Sequence, residues 1–200
     1  MQSSLVLGGL NVASTGRLDI ADNEVFLKYS AADPIGSITA WIHSGYNAGA
    51  WTGVGILSTT AQTTGASYGI GYADSADSGN PAGLSAGTIE IKYTLLGDAN
   101  LNGVVDGTDL GIVAANFNKG VSAWDQGDFN YDNIVDGTDF GDLAANFNKG
   151  ISLAAVLTPV AQVESSTTGD PLPGLLTDRK HRGTEFLGAV GRQKSLPPPR

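Results

Sequence analysis

Apolar side chains recur at every second position over 67–72 (Tyr68, Ile70, Tyr72) and over 88–95 (Ile89, Ile91, Tyr93, Leu95), the period of a half-buried strand. Residues 5–29 carry the same alternation in shorter pieces. Leu18 and Ile20 form one, Val25, Leu27 and Tyr29 another, and the turn-forming run ADNE at 21–24 separates them. The period lengthens over 34–44, where Ile35, Ile38, Trp41 and Ile42 share one face of a helix. Asp33 suits the N-cap of that helix and Pro34 its first position. Gly45 is placed to end it in a left-handed cap, with His43 near the negative end of the dipole. The pattern predicts a β-rich segment with one helix over residues 1–95, reading as the end of a larger β domain. Trp41, Tyr46 and Trp51 read as its aromatic core rather than as a sugar-stacking platform.

A helical period returns twice further on. Leu110, Val113, Ala114 and Phe117 lie at i, i+3, i+4 and i+7, and Phe140, Leu143, Ala144 and Phe147 repeat the same face. Both runs stop at Asn-Lys-Gly. They belong to a duplication: DANLNGVVDGTDLGIVAANFNKG at 98–120 and DFNYDNIVDGTDFGDLAANFNKG at 128–150 agree at 15 of 23 positions, at an offset of 30. Phe117, Phe147 and the intervening Trp124 read as core.

Each repeat opens with the spacing of a calcium loop, which sets oxygen ligands at positions 1, 3, 5, 7, 9 and 12 and a sharp turn at 6. In the first copy these are Asp98, Asn100, Asn102, the Val104 carbonyl, Asp106 and Asp109, with Gly103 at the turn. In the second they are Asp128, Asn130, Asp132, the Ile134 carbonyl, Asp136 and Asp139, with Asn133 at the turn. As such a loop curls, alternate side chains converge on one point, and the twelfth residue closes the sphere from the first turn of the following helix. Oxygen ligands without nearby His or Cys select calcium or magnesium over zinc or copper. Two calcium ions are therefore expected. The twelfth position is Asp in both copies, whose carboxylate reaches less far than that of Glu. Asn133 stands where Gly is usual, and Asn tolerates a left-handed backbone better than other side chains.

Charge sharpens this reading. The net charge of −9 conceals 16 acidic against 5 basic side chains over 1–150, whereas 151–200 holds 4 acidic and 6 basic. Residues 98–150 contain nine Asp, no Glu, and only Lys119 and Lys149 as basic groups. Short carboxylates so crowded repel one another unless a cation neutralises them. An acidic body has no surface for a phosphate backbone, so nucleic acid is excluded as a partner. No run approaches the ~20 apolar residues of a membrane helix. Cysteine is absent, and the 28 glycines, about double the usual share of ~7%, favour turn-rich structure. The first ten residues lack the basic start and sustained apolar stretch of a signal peptide. This leaves a cytoplasmic protein or the downstream part of a longer one, and the second is favoured. The stretch 153–200, rich in Pro, Ser and Thr and carrying the basic run RKHR at 179–182, reads as a disordered tail.

Nothing ahead of either loop has the pattern of an entering helix. A calcium loop followed by one helix, twice over, resembles the bacterial dockerin family, of the type I kind; the resemblance covers residues 98–150. It implies an α+β chain whose residues 96–152 form a small all-α module of two loop–helix units about a pseudo-twofold axis, each holding one calcium ion. It also implies a cohesin-like protein partner, met at loop positions 10 and 11 and along the following helix. Those positions are Gly107 and Thr108 in one copy and Gly137 and Thr138 in the other. The preceding runs SGYNAGAW at 44–51 and YTLLGD at 93–98 look like the C-terminal part of large secreted bacterial proteins built from β-strand repeats. An extracellular or cell-surface location, and a role in polysaccharide degradation, follow from the resemblance alone.

Catalysis by this chain is not expected. Ahead of residue 98 the carboxylates are Asp19, Asp22, Glu24, Asp33, Asp74, Asp77 and Glu90, and turns or caps account for several. Neither His43 nor His181 stands beside a nucleophile pattern. Three readings stay open: a calcium-dependent tether, a calcium-stabilised structural end piece, and a fragment of a secreted glycoside hydrolase.

Overall fold

In the computed structural model, which describes residues 2–151, the chain runs through six strands and four helices. They are β1 (Ser4–Leu7), β2 (Arg17–Asp19), β3 (Glu24–Lys28), α1 (Ile35–Tyr46), β4 (Gly55–Leu57), α2 (Thr59–Thr64), β5 (Tyr68–Asp74), β6 (Thr88–Leu95), α3 (Gly107–Asn116) and α4 (Gly137–Asn146). A single 3-10 turn, Trp124–Gln126, separates α3 from α4. The two strands with the clearest alternation, β5 and β6, pair antiparallel, with Ile70 opposite Tyr93 and Tyr72 opposite Ile91. β6 is also antiparallel to β3, and β1 adds in parallel at the far edge, giving the order β1-β3-β6-β5. β2 and β4 form a separate parallel pair, with Leu18 opposite Ile56. The core gathers Val25, Leu27, Ile70, Ile89 and Ile91 of the sheet with Ile38 and Ile42 of α1 and Ile56 of β4.

Helix α1 begins one residue later than its sequence predicts: Pro34 rather than Asp33 is the N-cap, and Asp33, just outside it, accepts the Ile35 N–H on Oδ1 at 2.9 Å. Its end differs. Gly45 lies inside the helix, and the left-handed cap is Asn47, with φ of 45°. A Cβ on Gly45 would stand 1.7 Å from the Ile56 carbonyl oxygen, so this glycine permits close packing of α1 on β4 rather than a turn. Helix α2 has no apolar stripe to announce it. Ala61 is its one buried residue, and the Ser58 side chain caps it by accepting the Ala61 N–H at 2.9 Å.

The expectation of a small all-α module over the repeats is overturned. The described residues form a mixed α/β unit, with the loop–helix repeats built onto the four-stranded sheet. The reason lies in large side chains outside α3 and α4, Leu101 and Tyr131 in the loops and Trp124 between the repeats, that pack on β5. Trp124 is wholly buried, and a Cβ on Gly71 of β5 would lie 2.4 Å from Leu101 Cδ2 and 2.7 Å from Trp124 Nε1. The Tyr131 hydroxyl donates to the Ile70 carbonyl at 2.6 Å and accepts the Ile70 N–H at 3.2 Å. β5 is an edge strand, and Tyr131 thereby satisfies backbone groups that the sheet leaves unpaired. The apolar faces of α3 and α4 are correspondingly less buried than their period predicts. Val113 and Leu143 are enclosed, whereas Phe117, Phe140 and Phe147 stay 41%, 47% and 40% exposed. Trp124 and Trp51 are core, and Trp41 and Tyr46 are half-buried.

Among the described residues, no helix is long and apolar enough to cross a membrane. The expected disordered tail lies outside the described residues.

Glu90 is a buried carboxyl in the middle of β6. Burial pushes it up to about 7 against the attraction of Lys92, whose Nζ lies 3.5 Å away, while repulsion from Glu24 adds to the rise. A carboxyl held above its ordinary 4.5 favours the fold most when protonated, so stability is lost as pH climbs through 7. Glu90→Gln is expected to raise stability at pH 8 by about 2 kcal/mol and to change little at pH 4. Urea melts of both proteins across that range check it, and parallel pH profiles would contradict it.

Candidate metal centre

Loop one starts three residues beyond β6, so the sheet holds its first carboxylate, Asp98. Asp98 Oδ2 accepts the Thr94 hydroxyl of β6 and the Gly103 N–H, the latter at 2.9 Å. Lys92 Nζ donates to the Leu101 carbonyl at 2.7 Å, and Trp124 Nε1 to the Asp98 carbonyl at 2.8 Å. Asp109, in the first turn of α3, accepts the Ala99 and Asn100 N–H groups on Oδ1 and the Asp106 N–H on Oδ2. Asn100 Oδ1 takes the Asn102 N–H and Asn102 Oδ1 the Val104 N–H, which curls the loop in two successive turns.

Loop two repeats the bonds that loop one's side chains accept from its own backbone. Asp128 Oδ2 accepts the Asn133 N–H at 3.0 Å, and Asp139 accepts the Phe129, Asn130 and Asp136 N–H groups. Asn130 Oδ1 takes the Asp132 N–H and Asp132 Oδ1 the Ile134 N–H. Asp106 and Asp136 act as N-caps of α3 and α4, each accepting the N–H of Thr108 or Thr138 at 2.7 Å. The Val104 and Ile134 carbonyls accept no turn or loop hydrogen bond. The units also exchange contacts reciprocally, Asn118 N–H to the Val135 carbonyl at 2.9 Å and Asn148 N–H to the Val105 carbonyl at 2.8 Å.

What remains unsatisfied lies at matching places. Asp98 Oδ1 and Asp128 Oδ1 are buried and accept no hydrogen bond. A buried carboxylate oxygen without a partner is strongly disfavoured, so a positive group is wanted at each. Oxygens of Asp128, Asp132 and Asp139 all lie within 4.8 Å of one another, close enough to share one ion. Loop one has Asn100 and Asn102 where loop two has Asn130 and Asp132, so fewer carboxylates meet there. Burial pushes the Asp98 carboxyl up to about 6, opposed by the Thr94 and Gly103 hydrogen bonds. Burial and then repulsion from Asp139 push Asp128 up to about 7. Burial also raises Asp109 and Asp139 against the hydrogen bonds they accept, and Asp142 reaches about 6 through burial and repulsion from Asp139.

Of the predicted side-chain ligands, the structure brings Asp128, Asp132 and Asp139 together, groups no such three carboxylates in loop one among the described residues, and uses Asp106 and Asp136 as helix N-caps. The residues that hold those loops in place are less visible in sequence. Leu101 and Tyr131, both at loop position 4, adopt left-handed backbone with φ of 57° and 60°, as does Asn133 with 69°. A bulky residue in that conformation is strained by about 1–2 kcal/mol, here offset by burying its side chain against the sheet. A large apolar residue inside an otherwise polar ligand loop is the signal that could have marked them. Thr108 and Thr138 are both exposed. Leu110, Val113, Ala114, Phe117, Gly137 and Phe140 line an open apolar groove between α3 and α4.

Comparison with models of protein families, with curated proteins and with solved structures yields no match to this chain.

Proposed function

We propose that the chain is a non-catalytic calcium-binding protein in which each loop holds one calcium ion, and that the calcium-ordered α3–α4 surface tethers it to a cohesin-like partner outside the cell. The observation that carries the calcium reading is the matched pair of buried, unpartnered oxygens, Asp98 Oδ1 and Asp128 Oδ1, each in an all-oxygen loop. Hard oxygen ligands in a flexible loop suit calcium better than the smaller, strictly octahedral magnesium. The partner reading draws support from Phe117 and Phe140, which flank the groove and leave nearly half their surface in water.

Calorimetric titration of the full chain tests the calcium reading. Asp98→Ala and Asp128→Ala should each remove one bound equivalent. The second substitution should remove the tighter one, since loop two carries four acidic ligands, Asp128, Asp132, Asp136 and Asp139, against three. Unchanged stoichiometry in both variants defeats the assignment. For the partner, the full chain is passed over immobilised cohesin modules with calcium saturating. Thr108→Asp or Thr138→Asp alone should leave most of the binding, and the two together should abolish it through desolvated charge. Total loss from one substitution would show a single committed face.

A second reading, a calcium-stabilised structural end piece without a partner, is favoured by the insertion of Trp124 and Tyr131 into the sheet. It predicts calcium binding of the same stoichiometry and no cohesin binding in any condition.

A further inference from the structure

We infer that Asn102 is a modification site: in the metal-free loop it deamidates spontaneously through the Gly103 nitrogen, and the aspartate so formed gives loop one the carboxylate that loop two already holds at this position. The consequence for metal rests on the calcium reading of the loops, while the chemistry at Asn102 does not. Asn102–Gly103 is the one Asn-Gly pair in the sequence, and every other asparagine is followed by a residue with a side chain. A glycine nitrogen, with no side chain to shield it, approaches the preceding carboxamide most easily. Asn102 is exposed, and Gly103 has φ of 85°. Asn102 Oδ1 accepts the Val104 N–H at 2.8 Å, which closes a ring of side chain and backbone that contains both reacting atoms, Asn102 Cγ and Gly103 N. The same bond draws electron density away from Cγ. The Gly103 N–H faces Asp98 Oδ2 at 2.9 Å, an acceptor for the proton the nitrogen gives up.

Gly103 N bonds to Asn102 Cγ, and the bond from Cγ to Nδ2 breaks. Ammonia leaves with the two Nδ2 hydrogens and the proton from Gly103, and a cyclic imide remains. Water then opens it. Cleavage at Cγ yields aspartate, and cleavage at the Asn102 backbone carbonyl carbon yields isoaspartate. The first product exchanges Nδ2 for an oxygen and leaves every other heavy atom as it was. The counterpart 30 positions on is Asp132, whose Oδ1 accepts the Ile134 N–H at 2.9 Å and whose carboxylate lies within 4.8 Å of those of Asp128 and Asp139. The bonds that Asp98 and Asp109 accept from the loop-one backbone match those of Asp128 and Asp139, so an aspartate at position 102 meets Asp98 and Asp109 as Asp132 meets its own pair. Isoaspartate instead adds a backbone atom ahead of Gly103, which draws its N–H from Asp98 and shifts the Val104 carbonyl. An ion held by Asp98 and Asn102 Oδ1 fixes both side chains and occupies the proton acceptor, so the modification belongs to the metal-free loop.

The full chain is kept at pH 8 with chelator or with calcium, and peptide mapping follows every asparagine. Under chelation Asn102 should convert ahead of all others. Calcium at about ten times its dissociation constant should slow it about tenfold, in step with the metal-free fraction. Calorimetry of Asn102→Asp reads the product directly. In the Asp128→Ala background, where loop one alone remains, it should bind calcium roughly tenfold tighter than the unmodified loop. Fractions enriched in isoaspartate should lose the loop-one ion. A chain that binds two ions but keeps Asn102 under chelation as long as Asn100 and Asn116 overturns the modification, and an Asn102→Asp loop that binds no tighter overturns its consequence. Prompt deamidation at Asn102 in a chain that binds no calcium would instead defeat the loop assignment and keep the modification site.

Discussion

Removing calcium from the full chain is expected to lower its melting temperature by roughly 15–30 °C and to reduce the helical signal of α3 and α4. A ligand held at a thousand times its dissociation constant stabilises the folded state by about 4 kcal/mol per site, so two loops contribute about 8 kcal/mol. In a domain of this size each kcal/mol moves the midpoint by about 2–4 °C. The helices respond because Asp109 and Asp139, which bond the loop backbones, sit in their first turns, and Asp106 and Asp136 cap them. Without the cation, Asp98 and Asp128 each leave a buried oxygen unanswered. Thermal melts followed by circular dichroism, with chelator and then with excess calcium, check this. A midpoint that moves by less than about 3 °C would mean that the loops hold their shape without metal, and the proposal would fail with it.

The second large effect belongs to Trp124. Trp124→Ala should destabilise the protein by about 4 kcal/mol, at the upper range for emptying a filled core site. The ring is wholly enclosed, lies edge-on to Phe129 at 5.2 Å and tilted against Tyr131 at 5.6 Å, and covers Gly69 and Gly71 of β5. Its indole N–H also holds the Asp98 carbonyl, so the substitution should weaken calcium in loop one more than in loop two. Trp124→Phe separates the contributions. Most of the packing returns, while the lost hydrogen bond leaves a deficit of about 1–1.5 kcal/mol. Urea melts with calcium saturating give the stabilities, and titration of each variant gives the site affinities. Should Trp124→Ala cost less than about 1 kcal/mol, the repeats would be standing apart from the sheet.

The sequence alone was enough for the longer periodic patterns, though not for the short helix α2. The alternation of β5 and β6 and the period of α1, α3 and α4 are local patterns, and each reappears in the structure close to its expected place. The loop hydrogen bonds are local too, since Asn100, Asn102 and Asp106 each bond backbone two residues further on. Where reading the chain failed, the cause was a distant contact. Gly45 looked like a helix stop until β4 came within reach of its missing side chain. Phe117 and Phe147 looked like core because a helical period states which residues share a face, not whether anything covers it. The all-α module failed for the same reason. Trp124, Leu101 and Tyr131 find their burial on β5, some 30 to 60 positions away in the chain, and no short-range period records that choice. Asp125 shows the limit most plainly: in sequence it is one more Asp in an acidic stretch. Only the packing of its turn against β5 leaves it enclosed and unpartnered.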